Sequence, residues 1–269
     1  NTIGAGQAVT LTGTSGGTYS SLPGGLTLNP VTGAVNPSLS VAGTYTVTYT
    51  IAATGGCGVV TTTASVTITA LSAATFSYAG TPYCSNSVDP LPTFSGGGVA
   101  GVFSSTAGLV FISPATGQVD ISASTSGTYS VTNTIAAAGG CGIVSSTNTI
   151  TITTLPTAAI SYTGSPWCGS APVQNATLTG TSGGIYSAFP AGLSLNTVTG
   201  AINPGTTIPG TYAVTYTIAA SGGCGIVTAT ANITVDPAPA VIITNPAAVC
   251  APSTVDITAA AVTAAIVGF

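Results

Sequence analysis

GTYTVTYTIAATGGCG, residues 43–58, alternates strictly between two kinds of side chain until its glycines begin. Tyr45, Val47, Tyr49 and Ile51 fall on one face, and Thr44, Thr46, Thr48 and Thr50 on the other. A period of two with one apolar and one hydroxyl face describes a strand buried on one side only. The Gly-Gly-Cys-Gly string then predicts a turn into a second Thr/Val-rich strand, Val59–Thr69, closing a hairpin. The same stretch returns as GTYSVTNTIAAAGGCG at 127–142 and GTYAVTYTIAASGGCG at 210–225, followed by Ile143–Thr153 and Ile226–Val235. The chain is therefore built from repeats, and the repeats are β throughout.

Residues 7–58 align without a gap to 174–225. Within that alignment GLTLNPVTGAVNP (25–37) matches GLSLNTVTGAINP (192–204), while the middle repeat keeps GLVFISPATGQV (108–119). Asn29–Gly33 and Asn196–Gly200 read as turns between shorter strands, with Gly33, Gly117 and Gly200 expected at positive φ. A repeat of about 83 residues made of strands and turns fits an antiparallel sandwich of roughly seven strands. The expected organisation is all-β, with tandem Ig-like repeats at 1–70, 71–154 and 155–236 and a tail at 237–269.

The six cysteines follow the same period. Cys57, Cys141 and Cys224 sit in the Gly-Gly-Cys-Gly turns, and Cys84, Cys168 and Cys250 open repeats after Tyr83, Trp167 and Val249. Opener and turn cysteine of one repeat lie 57 or 56 residues apart, which suggests the intrachain disulfides Cys84–Cys141 and Cys168–Cys224. Cys57 then lacks an opener and Cys250 lacks a closer. Regularly spaced, paired cysteines point to an oxidising compartment, hence a secreted or surface protein.

The strings LPGGLTLNPVTG (22–33) and GTYTV (43–47) resemble bacterial Ig-like repeats, and the Gly-Gly-Cys variant is similar to tandem repeats of large Bacteroidota surface proteins. The likeness covers the first and third repeats well, the second partly, and the tail only around Cys250. It implies Ig-like modules in adhesins or fibres, and it assigns no ligand.

The gapless alignment places Asn1 opposite Cys168, so the first repeat starts where its opener cysteine should stand. It has no equivalent of AAISYTGSPW (158–167), the expected first strand, whereas the tail carries AVIITNPAAV (240–249) before Cys250. A sandwich short of an edge strand exposes backbone groups and core, which a strand from another molecule can cover. Such head-to-tail contacts do not close on themselves and generate filaments. The sequence thus suggests an extracellular homopolymer. Ala240, Val241, Ile242, Ile243 and Val249 would form the donor strand, and an intermolecular Cys57–Cys250 disulfide would lock it. The alternative is a piece of a long array, serving as stalk or carbohydrate-binding segment of a surface adhesin. The role of Val255–Phe269 stays open.

Composition narrows the rest. The chain has no Lys, Arg or His and four acids, Asp89, Asp120, Asp236 and Asp256, for a net charge of −4. Nothing basic is present to neutralise phosphates or anionic lipid. Mean hydropathy is positive, but no apolar run reaches the ~18 residues that span a bilayer. Catalysis is not expected, since general bases are missing and the Asp residues are scattered at turns. No cofactor or metal site is expected either, because no close Cys-x-x-Cys pair exists. Tyr45, Tyr129 and Tyr212 suit the corner tyrosine of an Ig strand. Tyr83 and Trp167 suit packing beside the opener cysteines or, alternatively, sugar stacking. Asn175 and Asn232 head the two sequons, candidate N-glycosylation sites, and O-linked sugar on the threonine faces is a further way to hydrate an uncharged surface.

Overall fold

A computed structural model describes residues 6–241 and the backbone of 242–243 and 262–265. The chain divides into two compact units, one holding residues up to Pro82 and Asn86–Ile152, the other Tyr83–Ser85 and the residues from Thr153 onward.

The second unit contains a whole repeat. Its strands are β12 (Ala158–Ser161), β13 (Trp167–Cys168), β14 (Thr177–Gly180), β15 (Ile185–Phe189), β16 (Gly210–Ile218) and β17 (Val227–Asp236). They form a four-stranded sheet, β13-β17-β16-β15, and a separate pair, β12-β14. β13 runs parallel to the end of β17, with Trp167 beside Val235, and all other pairings are antiparallel. A first strand split between two layers in this order is the Ig-like sandwich. Ten buried residues make its core: Ile160, Trp167, Tyr186, Ile202, Tyr212, Val214, Tyr216, Ile218, Ile233 and Val235.

In the first unit, β1 (Thr18–Leu22), β2 (Gly43–Ile51) and β3 (Val60–Ile68) form a three-stranded sheet in that order. The middle repeat contributes β4 (Phe76–Ser77), β6 (Thr93–Phe94), β7 (Val102–Ser105), β8 (Val110–Ser113), β9 (Gln118–Asp120), β10 (Gly127–Ile135) and β11 (Val144–Thr153). β10 lies between β7 and β11, and β4-β6 and β8-β9 are separate pairs. β5 (Tyr83–Cys84) belongs to the second unit, where the Ser85 amide donates to the Thr153 carbonyl.

Each expected local device is present. The long hairpins bury tyrosine and valine and face solvent with threonine, whose hydroxyls bond across strands at Thr44–Thr67, Thr128–Thr151 and Thr211–Thr234. Tyr45, Tyr129 and Tyr212 are corner tyrosines, donating to the carbonyls of Val41, Thr125 and Ile208 at 2.6, 2.6 and 2.5 Å. Gly33, Gly117 and Gly200 have φ of 69°, 73° and 72°. A Cβ at any of them would also strike the ring of Tyr19, Phe103 or Tyr186.

Asn133 breaks the tyrosine pattern without breaking its chemistry. Where the outer repeats have Tyr49 and Tyr216, whose hydroxyls accept the amides of Gly17 and Gly184 at 2.7 Å, Asn133 Oδ1 accepts the Gly101 amide at the same distance. Its Nδ2 donates to the carbonyls of Ala74 and Val99, and the side chain is fully buried.

The disulfide differs from the spacing-based expectation. Cys84 is bonded to Cys224, 140 residues away, and Cys57, Cys141 and Cys168 are free. Strand length explains why opener and closer of one repeat do not meet. Cys168 lies at the Asp236 end of β17 and Cys224 at the turn before its other end. A ten-residue strand separates them, roughly 30 Å at ~3.4 Å per residue, against a reach of about 7 Å between bridged Cα atoms. The opener cysteine reaches the turn of the following repeat instead.

The tail also differs from a lone donor strand. β18 (Ala240–Ile243) pairs antiparallel with β19 (Val262–Ala265) of its own chain. Val249 and Cys250 lie outside the described residues.

Two stability tests follow from these contacts. Asn133→Ala strands one buried amide and two carbonyls and should cost roughly 2–3 kcal/mol in chemical unfolding. Cys84→Ser opens a 140-residue loop and should destabilise the second unit by up to about 5 kcal/mol in the chain-entropy account. Reducing the wild-type protein should reproduce that loss.

Candidate functional site

The three repeats share a hairpin but not a filled core. On β17, Ile233 and Val235 are 2% and 1% exposed, and on β11, Ile150 and Ile152 are 0% and 2%. Their counterparts on β3, Val66 and Ile68, are only half-buried. The buried cluster of the first repeat contains Tyr19, Val47 and Tyr49, against ten residues in the third. Eight of those ten have a counterpart within residues 1–70. The two that do not are Ile160 of β12 and Trp167 of β13.

A groove lies where those side chains belong. It encloses about 580 Å³ and is lined by Val9, Val35, Val47, Val66, Ile68 and Cys141, among others. One wall is the apolar face of β2 and β3. Opposite lie Gln7, Ala8 and Val9 of the segment 7–13, tied down by the reciprocal Gln7–Val35 backbone bonds. The counterpart of that segment in the third repeat contains β14, held there by β12. In the first repeat residues 8–13 form no strand, and Val9 and Leu11 are 42% and 38% exposed. Among the described residues no strand pairs with the backbone at 10–13 or with the outer edge of β3 at Ile68–Thr69.

Cys141 marks one end of the groove. Its Sγ lies 3.8 and 3.9 Å from the carbonyls of Thr69 and Ala70. Gly139 packs so closely there that a Cβ would meet the Thr69 hydroxyl at 2.7 Å. Sequence reasoning paired Cys141 with Cys84 and missed this position. The signal was available in the repeat period, since Thr69 is the counterpart of Thr153.

The tail repeats the length and closing cysteine of two earlier segments. ATFSYAGTPYC (74–84), AAISYTGSPWC (158–168) and AVIITNPAAVC (240–250) share length and a closing cysteine. In the first two, Phe76 and Ile160 at the third position are buried, as are Tyr78 and Trp167 further along. β18 corresponds residue for residue to β12, and β19 pairs with it as β14 pairs with β12.

Other candidate residues fall elsewhere. Trp167 is buried, edge-on to Tyr162, with its ring N–H donating to the Thr163 carbonyl, so it offers no face to a sugar. Burial also raises the Tyr162 phenol pKa. Asp89 accepts the Ile121 amide across 32 residues, tying two segments of the middle repeat together, and Asp120 accepts from Ser122 and Ala123 within its own turn. Among the described residues no cluster of three His, Cys, Asp or Glu is placed to hold a metal, and no helix is long and apolar enough to cross a membrane. Asn175 and Asn232 are exposed. Cys57 is exposed at the β2–β3 turn, at the far end of β3 from Ile68. Cys168 is partly exposed, and the Ser170 hydroxyl and amide beside it lower its thiol pKa.

No family model and no curated protein matches the chain. Among solved structures it is similar to Drosophila N-cadherin EC1-4, at 12% identity over 82% of this chain and 66% of that one, with a TM-score of 0.32. It is also similar to a three-domain I-band fragment of titin, at 15% identity over 86% and 90% of the two chains, with a TM-score of 0.37. A third is a SusE-like surface located polysaccharide binding protein from the Bacteroides thetaiotaomicron heparin utilisation locus, at 15% identity, 82% and 43% coverage and a TM-score of 0.26. The Ig-like assignment stands on the strand order of the chain itself.

Proposed function

We propose that the protein is a structural subunit of an extracellular filament, in which the tail of one copy completes the first repeat of the next. The observation that carries this reading is the open groove of mixed polar and apolar lining between β2, β3 and residues 7–9, in the place that β12 and Trp167 fill in the third repeat. The occupant is residues 240–250 of a second copy. Ile242 takes the place of Ile160, Val249 that of Trp167, and β18 pairs with 10–13 as β12 pairs with β14. Main-chain bonds to β19 are exchanged for bonds to 10–13, nearly one for one, so the driving force is burial. An isoleucine and a valine leaving water contribute about 1.5–3 kcal/mol each, and Val66 and Ile68 are covered in turn. The contact is heterologous, so it propagates. The disulfide in so small a repeat is consistent with an oxidising, extracellular setting.

One observation favours a second reading. The β18–β19 pair reproduces β12–β14, as the opening of a further repeat would in a tandem stalk of a surface adhesin. The two readings separate in solution. In the first, the purified 269-residue chain forms filaments in negative-stain images, and Ile242→Asp abolishes them while leaving circular dichroism unchanged. Wild-type protein that stays monomeric at high concentration, or Ile242→Asp protein that assembles normally, overturns the filament.

An exposed threonine surface with almost no charge is hydrated in this proposal by covalent sugar, at Asn175, Asn232 or the threonine hydroxyls. Peptide mapping of native material should then show sugar masses on peptides holding Asn175, Asn232 or threonine, and unmodified masses for all of them remove the sugar.

A further inference from the structure

We infer that each junction between copies carries two disulfides, Cys250 of one copy to Cys141 of the next and Cys168 to Cys57, repeating across molecules the stagger of Cys84–Cys224. This rests on the strand-exchange reading above and specifies how that contact is locked.

The Cys84–Cys224 bond defines a seat with three parts. The residue after the opener cysteine bonds the end of a last strand, Ser85 N–H to Thr153 O. The turn cysteine of the following repeat lies against the next carbonyl, Cys224 Sγ being 3.7 Å from Thr154 O. The turn glycine packs on the same strand end, since a Cβ on Gly222 would meet Thr153 at 2.9 Å.

Two of these parts recur around Cys141 in the first unit. Cys141 lies against Thr69 and Ala70, the counterparts of Thr153 and Thr154, and Gly139 packs on Thr69 as Gly222 does on Thr153. What would complete the seat is an opener whose next residue donates to Thr69 O. A tail strand lying in the groove as β12 and β13 lie in theirs places Cys250 there, with Ala251 as donor. Cys141 lines that groove; Cys57 does not. A nine-residue β3 separates the Cys57 turn from Thr69, roughly 30 Å, so Cys57 is out of reach of Cys250.

The same rule accounts for the remaining two thiols. Cys168 is already seated as an opener, with Gly169 N–H donating to Asp236 O, and awaits the turn cysteine of a following repeat. In the fibre that following repeat is the first repeat of the next copy, whose turn cysteine is the exposed Cys57. No cysteine is then left over.

Each new bond joins two sulfurs as two thiols give up two protons and two electrons. The acceptor is a small-molecule or protein disulfide of the oxidising compartment, which leaves as two thiols. The lowered thiol pKa of Cys168 raises its own thiolate fraction for that exchange.

The test uses equal amounts of ¹⁴N- and ¹⁵N-labelled full-length chain, assembled with oxidised glutathione. Free thiols are alkylated, and the fibres are digested with pepsin at low pH, where disulfides do not reshuffle. The expected cross-linked peptides are Cys84–Cys224 with a single isotope composition, and Cys141–Cys250 and Cys57–Cys168 with mixed composition. On non-reducing gels, Cys57→Ser and Cys141→Ser each keep a ladder through the other bond, and the double variant loses it while filaments persist in negative stain. Filaments containing Cys57–Cys250 peptides, or quantitatively alkylated Cys141, overturn the stagger and leave strand exchange standing. Absence of filaments under both oxidising and reducing conditions overturns both.

Discussion

Closure of each sandwich by the segment ahead of its opener cysteine is the constraint on which the rest depends. β16 and β17, or β10 and β11, present one apolar face of tyrosine, valine and isoleucine, and a single sheet cannot cover that face alone. In the third repeat Ile160 and Trp167 cover it, and Val214, Ile233 and Val235 are removed from water. The first repeat has the same hairpin with an apolar face of the same kind, yet Val66 and Ile68 stay half-buried beside a groove of about 580 Å³.

That economy shapes the polar groups as well. With almost no charge available, buried polar atoms are satisfied by neutral partners. Corner tyrosines cap a backbone carbonyl four residues earlier, and Tyr49, Asn133 and Tyr216 each bind the glycine amide that starts a neighbouring strand. Asn133 meets with an amide the requirement that the outer repeats meet with a phenol. The same role is met in all three repeats although the residue changes, because the demand is set by a part-buried glycine N–H. Outside, threonine pairs bridge the strands where other proteins would place ion pairs.

The cysteines show how a regular spacing can mislead. An opener and a turn cysteine 57 residues apart look like a closed loop, and in many small secreted domains they would be one. Here the long hairpin holds them at opposite ends of the sandwich, so the bond skips to the next repeat, 140 residues on. A staggered bond of this kind links repeats, whereas the expected one would have braced each repeat separately.

Strand periodicity, the hairpin turns, the positive-φ glycines and the corner tyrosines were all legible in the sequence, because each is a local demand that a few neighbouring residues satisfy. The repeat period even located the first-strand segments and their likeness to residues 240–250. Which cysteines meet, that residues 8–13 form no strand, that β18 pairs with β19, and that Cys141 lines the groove were settled only by the tertiary structure. Those facts depend on distances along and between strands, which spacing in sequence does not encode.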